Sequence, residues 1–294
     1  MKLVYCIIVT YNGIKWVDKC FTSLKSADIT LKTIVIDNGS TDGTQDAIKK
    51  GYPEVELIQS EINLGFGKAN NIGIRKALSN GADYIFLLNQ DAYLYKGSFK
   101  KLLASFELEQ RIGIISPIHL AGDERNLDYG FQKYVRAENA PNLLGDTVLG
   151  NLKPLYSANF VNAAAWIIKS EVIKEIGDFH PAFDHYGEDN EFVFRVTKNN
   201  YKICIKTDFI IVHDRPQKPI IDKTDKNYVN KFKQIMLLRY FTGELNKRQF
   251  NILYIKTIMY NFLKFKMKYS IDSFYCWRDV SLKIKKYKNY QFYI

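Results

Sequence analysis

A chain of 294 residues that is 47% hydrophobic and 25% charged, with only 7 prolines and 17 glycines, has the makeup of a globular protein and leaves little room for a long disordered linker. Its net charge of +11 is uneven: residues 1–222 carry 26 Lys+Arg against 27 Asp+Glu, whereas residues 223–294 carry 16 against 4, a net of +12. The chain is therefore read as two parts, 1–222 and a basic, aromatic-rich helical extension over 223–294.

The first part opens with Leu3–Val9, a continuous apolar run expected of a strand buried on both faces. Residues 14–26 show helical spacing, with Trp16, Val17, Cys20, Phe21 and Leu24 on one stripe. Strands are predicted at Lys32–Ile36, Val55–Gln59 and Tyr84–Leu88, with helices at Thr41–Lys50 and Gly67–Ser79 between them. Strand and helix alternating at this spacing imply right-handed crossovers and a mostly parallel α/β sheet. Further along, Phe99–Glu109 reads as helix and Gly113–Pro117 as strand, while 121–155 shows no periodicity, as in an active-site loop region. Apolar residues return at Asn162–Ile168. Helices are expected at Ser170–Ile176 and Glu188–Asn199, and Lys202–Lys206 with Phe209–Val212 closes the core. Cys6 and Cys204 lie in apolar runs, and no cysteine pair has metal-ligand spacing. With no signal peptide read at Met1-Lys2 and no run of about 18 uncharged apolar residues, the expectation is a reduced, cytoplasmic compartment.

Ligands of such sheets bind beyond the carboxyl ends of the strands, so the loops there carry the functional reading. They are Thr10-Tyr11-Asn12-Gly13, then Asp37 through Gly43, and then Asn89-Gln90-Asp91. Asp37 is either part of a well-formed strand-to-helix turn or an acceptor for paired ribose hydroxyls or a base. The glycine-rich lead Asn63 to Gly73 resembles many phosphate-binding turns, but no G-x-G-x-x-G follows the first strand, which argues against a nicotinamide dehydrogenase. Asp91, at the end of a very apolar strand, either caps the next segment or binds Mg²⁺ or Mn²⁺. Glu188-Asp189-Asn190-Glu191 either charges a helix N-terminus or supplies a proton acceptor. His213 ends a strand and is either structural or a second metal ligand.

In this order, VTYNG at 9–13, VIDNGSTDGT at 35–44, NLGFGKANNIGI at 63–74, LLNQDA at 87–92, IGDFHPAFDHYGEDNEFVFRV at 176–196 and His213 resemble the family 2 glycosyltransferases. LLNQDA and the later segments are most similar to the bacterial rhamnosyltransferase-type branch. The resemblance implies a GT-A fold over 1–222 and an inverting transfer of a sugar from a nucleotide diphosphate to a glycan or lipid-linked glycan hydroxyl. The favoured donor is dTDP-rhamnose, with UDP-hexoses next. By the same resemblance Thr10, Tyr11, Asn12, Asp37, Asn38, Asn71, Asn89 and Gln90 hold the nucleotide. Asp91 and His213 hold the metal, Asp189 is the general base supported by Glu188 and Arg195, and Trp166 stacks on the donor sugar. One departure stands out: the first acid of the family's D-x-D is Asn89 here, so the metal site is one carboxylate poorer.

Two rivals follow from the same residues. A sugar-nucleotide-forming nucleotidyltransferase would carry a glycine-rich basic loop after the first strand, which VTYNG lacks. A non-catalytic carbohydrate- or nucleotide-binding protein is left open by Asn89, while Asp91, Asp189 and His213 together argue against it. In the extension, Phe250–Tyr269 has helical apolar spacing interrupted by lysines. This suits an anionic membrane surface, and hence an enzyme held on the inner face of the cell membrane. The same segment could pack on the core or mediate a homodimer. No nucleic-acid-binding module is present.

Overall fold

In the computed structural model of the chain, residues 2–109, 111–184, 186–217, 225–264 and 267–290 are described, residues 225–229 by their backbone alone. Four strands build the parallel half of one sheet: β1 (Val4–Thr10), β2 (Leu31–Asp37), β3 (Glu56–Gln59) and β4 (Tyr84–Asn89). Between them run α1 (Ile14–Leu24), α2 (Thr44–Gly51) and α3 (Phe66–Ser79). Then come β5 (Ala92–Lys96), α4 (Phe99–Leu108), β6 (Ile112–Ala121), the short α5 (Leu143–Val148) and β7 (Leu155–Ala158). The first part closes with β8 (Ala165–Lys169), α6 (Ser170–Ile176), α7 (Glu188–Lys198) and β9 (Lys202–His213). The sheet order is β3-β2-β1-β4-β8-β6-β9-β5, with β7 also on β9.

The parallel expectation holds for β3-β2-β1-β4, and the remainder is mixed, because β8 runs antiparallel to both β4 and β6. β9 is one strand where two runs were expected. Its register against β6 shifts between Pro117 and Ile118, and β7 and β5 pair with its first and second halves in turn.

Alternation along β1 explains why its whole run is apolar. Tyr5 and Ile7 enter the core under α3, α6 and α7, while Val4, Cys6 and Ile8 enter the one under α1, α2 and α4. α3 lies close on β1 because Gly73 has no side chain; a Cβ there would stand 2.6 Å from Ile7. Gly65, at φ +83°, meets the Asp184 carbonyl where any Cβ would collide. Close approach is thus what these glycines of the 63–73 segment provide.

After β9 come α8 (Asp225–Phe241), α9 (Lys247–Leu263) and α10 (Met267–Tyr287). The division at 222 lies outside the described residues. Ala182 and Phe183, in the loop before α7, share a separate apolar core with Met236, Leu237, Phe250, Tyr254, Val280 and Ile284. Lys283 donates to Asp184 and to the Ala182 carbonyl, fastening α10 to the same loop. The predicted single segment Phe250–Tyr269 is divided between α9 and α10. No described helix is long and apolar enough to cross a membrane.

Candidate active site

The strand-end loops are tied to one another by side chains, since irregular backbone has few ladder bonds of its own. Asp37, fully buried at 0% exposure, accepts from the Thr10 hydroxyl, the Ser40 amide and hydroxyl, and the Gln45 amide group. Asn12, held at φ 47°, accepts from the Thr41 amide through its side chain, while its own backbone N–H donates to Ser40 Oγ. Gln90 brackets Tyr11, accepting from its N–H at 2.9 Å and donating to its carbonyl at 3.1 Å. Asn38 donates to Asn63 and accepts from the Leu64 amide. The structure therefore gathers Thr10, Tyr11, Asn12, Asp37, Asn38 and Gln90 at one sheet edge, with the Tyr11 side chain exposed. Asn71 does not join them: both ends of its amide grip the Phe179 backbone, at 2.7 and 2.8 Å. Its visible work is to anchor the 177–184 loop to α3.

Beside this edge lies a cavity of about 650 Å³ whose walls include Asn89, Asp91, Tyr134, Glu188, Asp189, His213 and Arg215. Asp91 ends the β4 side and His213 ends β9. The register pairs Ala92 with His213, which brings Asp91 Oδ1 to 3.3 Å from His213 Nε2. Burial works to raise the Asp91 pKa, but the hydrogen bond and charge of His213 outweigh it and hold it below the usual range. Behind His213 stands Asp128, with Oδ2 3.9 Å from Nδ1. Asp128 takes both Nε and Nη2 of Arg215, at 2.8 and 2.7 Å. Burial alone would raise this carboxyl too, yet the guanidinium fork holds it at about 2.

The opposite chemistry holds at the N-terminus of α7. Gly187 turns the chain at φ 95° so that Glu188 and Asp189 face the cavity. Burial, then the neighbouring charge of Asp189, pushes Glu188 up to about 7, and its Oε2 has no hydrogen-bond partner among the described residues. Burial likewise raises Asp189, against bonds from the Asn190 N–H and side chain. Raised carboxylates in a cleft are suited to accepting protons. Tyr134 is pushed up to about 12 by burial and by Asp189.

Two of the expected site residues lie away from the cavity wall. Trp166 is fully buried, 0% exposed, stacked on Phe179 at 6.3 Å and tilted against Phe192, so its face is closed to a sugar. β8 is covered on both faces, and its alternation sends Trp166 into the α7 core. Arg195 turns towards Glu191 and the loop before α7. It pairs bidentately with Glu191 at 2.8 Å and donates to the backbone carbonyls of Ile176, Gly177 and Asp178, which fixes α7 to the preceding loop. Arg215 and Asp128 were missed by sequence reasoning. They lie 87 positions apart, and the only signal was the position of Arg215 two residues after His213.

No cluster of three or more metal-ligating side chains occurs among the described residues. Asp91 and His213 nevertheless fit one edge of an octahedral ion: two ligands each about 2.1 Å from the metal, at right angles, stand roughly 3 Å apart. A two-ligand protein edge suits Mg²⁺ or Mn²⁺ completed by phosphate oxygens and water.

A family model described as "Glycosyl transferase family 2" matches residues 5–177. An N-acetylglucosaminyl-diphospho-decaprenol L-rhamnosyltransferase of Mycobacterium tuberculosis is 24% identical over 220 residues, 65% of this chain and 69% of that protein. The dTDP-rhamnosyl transferase RfbF of Shigella flexneri is 31% identical over 122 residues, 41% of this chain and 40% of that protein. Among solved structures, S. aureus TarS (residues 1–349) in complex with UDP-GlcNAc aligns at TM-score 0.56 and 20% identity. The alignment covers 81% of this chain and 65% of that one, so the chain spans just under two thirds of it. The mannosyltransferase PcManGT from Pyrobaculum calidifontis, in complex with GDP-Man and Mn²⁺, aligns at TM-score 0.57 and 14% identity, covering 98% and 75%. These two likenesses show the fold.

Proposed function

This chain belongs to glycosyl transferase family 2, and from that premise we propose that it is an inverting rhamnosyltransferase of cell-surface polysaccharide synthesis. It takes rhamnose from dTDP-rhamnose, with UDP-sugars the next donor class, to a hydroxyl of a lipid-linked glycan at the inner face of the membrane. The observation that carries the reading is one cavity walled by both a raised carboxylate, Asp189, and the Asp91–His213 edge.

In this reading the nucleotide lies against the strand-end loops, over Tyr11 and the backbone held by Asp37 and Asn38. Its diphosphate reaches the cavity beside Asn89, Asp91 and His213. Asp91 and His213 would hold Mg²⁺ or Mn²⁺, which would supply positive charge to neutralise the diphosphate. Arg215 adds a second cation. Its Nε and Nη2 are spent on Asp128, which leaves the Nη1 edge of the fork for a phosphate oxygen. Asp189 takes the proton of the acceptor hydroxyl as that oxygen bonds to the anomeric carbon. The bond from that carbon to the diphosphate oxygen breaks on the far face, which inverts the centre without an enzyme nucleophile. Glu188, raised to about 7 by burial and by Asp189, is still largely protonated below that pH, which keeps a second negative charge from crowding Asp189 there.

The test is transfer of rhamnose from dTDP-rhamnose to a polyprenyl-diphosphate-linked N-acetylglucosamine acceptor, the kind named for the mycobacterial relative. Wild-type protein is expected to transfer rhamnose, and Asp189→Asn to release dTDP far more slowly. Equal turnover by the variant removes the base, and transfer from UDP-sugars alone removes the donor.

A further inference from the structure

The helices after β9 form a core with the 182–183 loop, but that core uses only one end of the α9–α10 hairpin. Its buried members stop at Tyr254 on α9 and resume at Cys276 on α10, and the half-buried residues packed on it also avoid 255–275. The distal half of the hairpin is nevertheless apolar. On α9, Ile255, Met259 and Phe262 fall on one stripe, and Met267, Ile271 and Phe274 do so on α10; all six are exposed, Phe262 at 56%. Leu263, beside the turn, is 70% exposed.

A helix that serves only to cover a domain is apolar on its inner face and polar outside. α9 departs from that pattern. Its inner face carries Phe250 and Tyr254, and its outer face is apolar as well. A contiguous apolar surface of this kind marks a contact with something else.

The charge identifies the partner. No Asp or Glu occurs between Glu244 and Asp272, while Lys247, Arg248, Lys256, Lys264, Lys266 and Lys268 do. Of these, Lys256 on α9 and Lys264 just past its end are exposed. We propose that the distal half of the α9–α10 hairpin is a membrane anchor, its apolar stripes dipping into the headgroup–acyl boundary of an anionic bilayer while the lysines meet the lipid phosphates. A second copy of the chain fits poorly, because two surfaces of strongly positive net charge repel. The inference deepens the proposed placement at the inner face of the membrane and names the surface responsible. It does not depend on the transfer chemistry.

The experiment is cosedimentation of the full chain with phosphatidylglycerol/phosphatidylcholine vesicles and with phosphatidylcholine vesicles, at low and high salt. Wild-type protein is expected to bind the anionic vesicles and to release as salt rises. Met259→Asp with Phe262→Asp is expected to weaken partitioning at least tenfold, and Lys256→Glu with Lys264→Glu to remove the preference for anionic lipid; far-ultraviolet circular dichroism checks that both remain helical. Phe262→Trp gives an independent reading, because its fluorescence is quenched by brominated acyl chains only if the tip enters the bilayer. Wild-type protein remaining in the supernatant at low salt overturns the proposal, and so does absence of quenching. A concentration-dependent dimer abolished by the Met259/Phe262 substitutions overturns it in favour of a second copy. Turnover on a soluble acceptor, measured beside these, separates loss of the anchor from failure of the transferase reading.

Discussion

The strand-end loops and the adjoining cavity are built from the same residue types and treat them in opposite ways. In the loops almost every polar side chain is spent on a neighbour: Asp37 accepts four hydrogen bonds, Asn38 bridges to 63–64, and Gln90 clips both backbone polar groups of Tyr11. Among the residues lining the cavity, Asn162 Oδ1, Glu188 Oε2 and, on its far side, His213 Nδ1 have no hydrogen-bond partner among the described residues. Leaving a buried polar atom unpaired costs on the order of 1–3 kcal/mol. Where several such atoms meet around raised carboxylates, the structure holds groups ready for a ligand. In the proposed reading the loops are support and the cavity is where charge changes.

Substitutions can break that contrast. The largest effect is expected at the cavity: Asp189→Asn loses roughly 10²–10⁴-fold in turnover, the usual worth of a general base, with little change in melting temperature. A stability loss without a rate loss would move Asp189 to the supporting side. Next is Glu188. Its folded-state pKa of about 7 lies above the ordinary 4.5, so the unfolded chain gives up this proton first and wild-type stability falls as pH rises from about 4.5 through 7. Glu188→Gln cannot lose the proton. Between pH 5 and 8 the variant should gain on wild type by up to about 3 kcal/mol, read from paired denaturation curves; a constant gap contradicts the buried, raised carboxyl.

The loops should answer in the reverse sense. Asp37→Asn replaces an acceptor-only group with one that presents an NH₂ to four donors, and is expected to cost about 1–3 kcal/mol in stability. Affinity for dTDP should fall only as far as the loop deforms. Full stability with lost nucleotide binding would instead make Asp37 a direct ligand. The smallest effect is expected at Trp166→Phe, roughly 1–2 kcal/mol for lost packing volume and no change in KM for the donor. A raised KM would show that the indole reaches the sugar after all.

Much of this was legible in the sequence where local pattern suffices. The apolar runs of β1, β2 and β4 and the polar residues at their ends announce a parallel sheet with a ligand edge, because a strand covered on both faces is mostly apolar. The same full burial hid the direction of Trp166: in β8 alternation carries no polar mark to show which face is which. β5 and β7 were unread because AYLYK and LYSA are short and find their partner β9 far along the chain. Asp128 and Arg215 meet only when β6 and β9 align. The two-sided character of α9 also needed the structure, since lysines interrupting an apolar run look alike on an amphipathic helix and on one covered from both sides.

The central claim, that Asp91 and His213 form a metal edge serving a nucleotide diphosphate, is tested most directly by thermal unfolding with dTDP, UDP and GDP, each with and without Mn²⁺, on wild type and Asp91→Asn. A ligand that binds only the folded state must raise the melting temperature. The account predicts a rise with dTDP that requires Mn²⁺ in the wild type and disappears in the variant. A rise that ignores Mn²⁺, or one that survives Asp91→Asn unchanged, would contradict it.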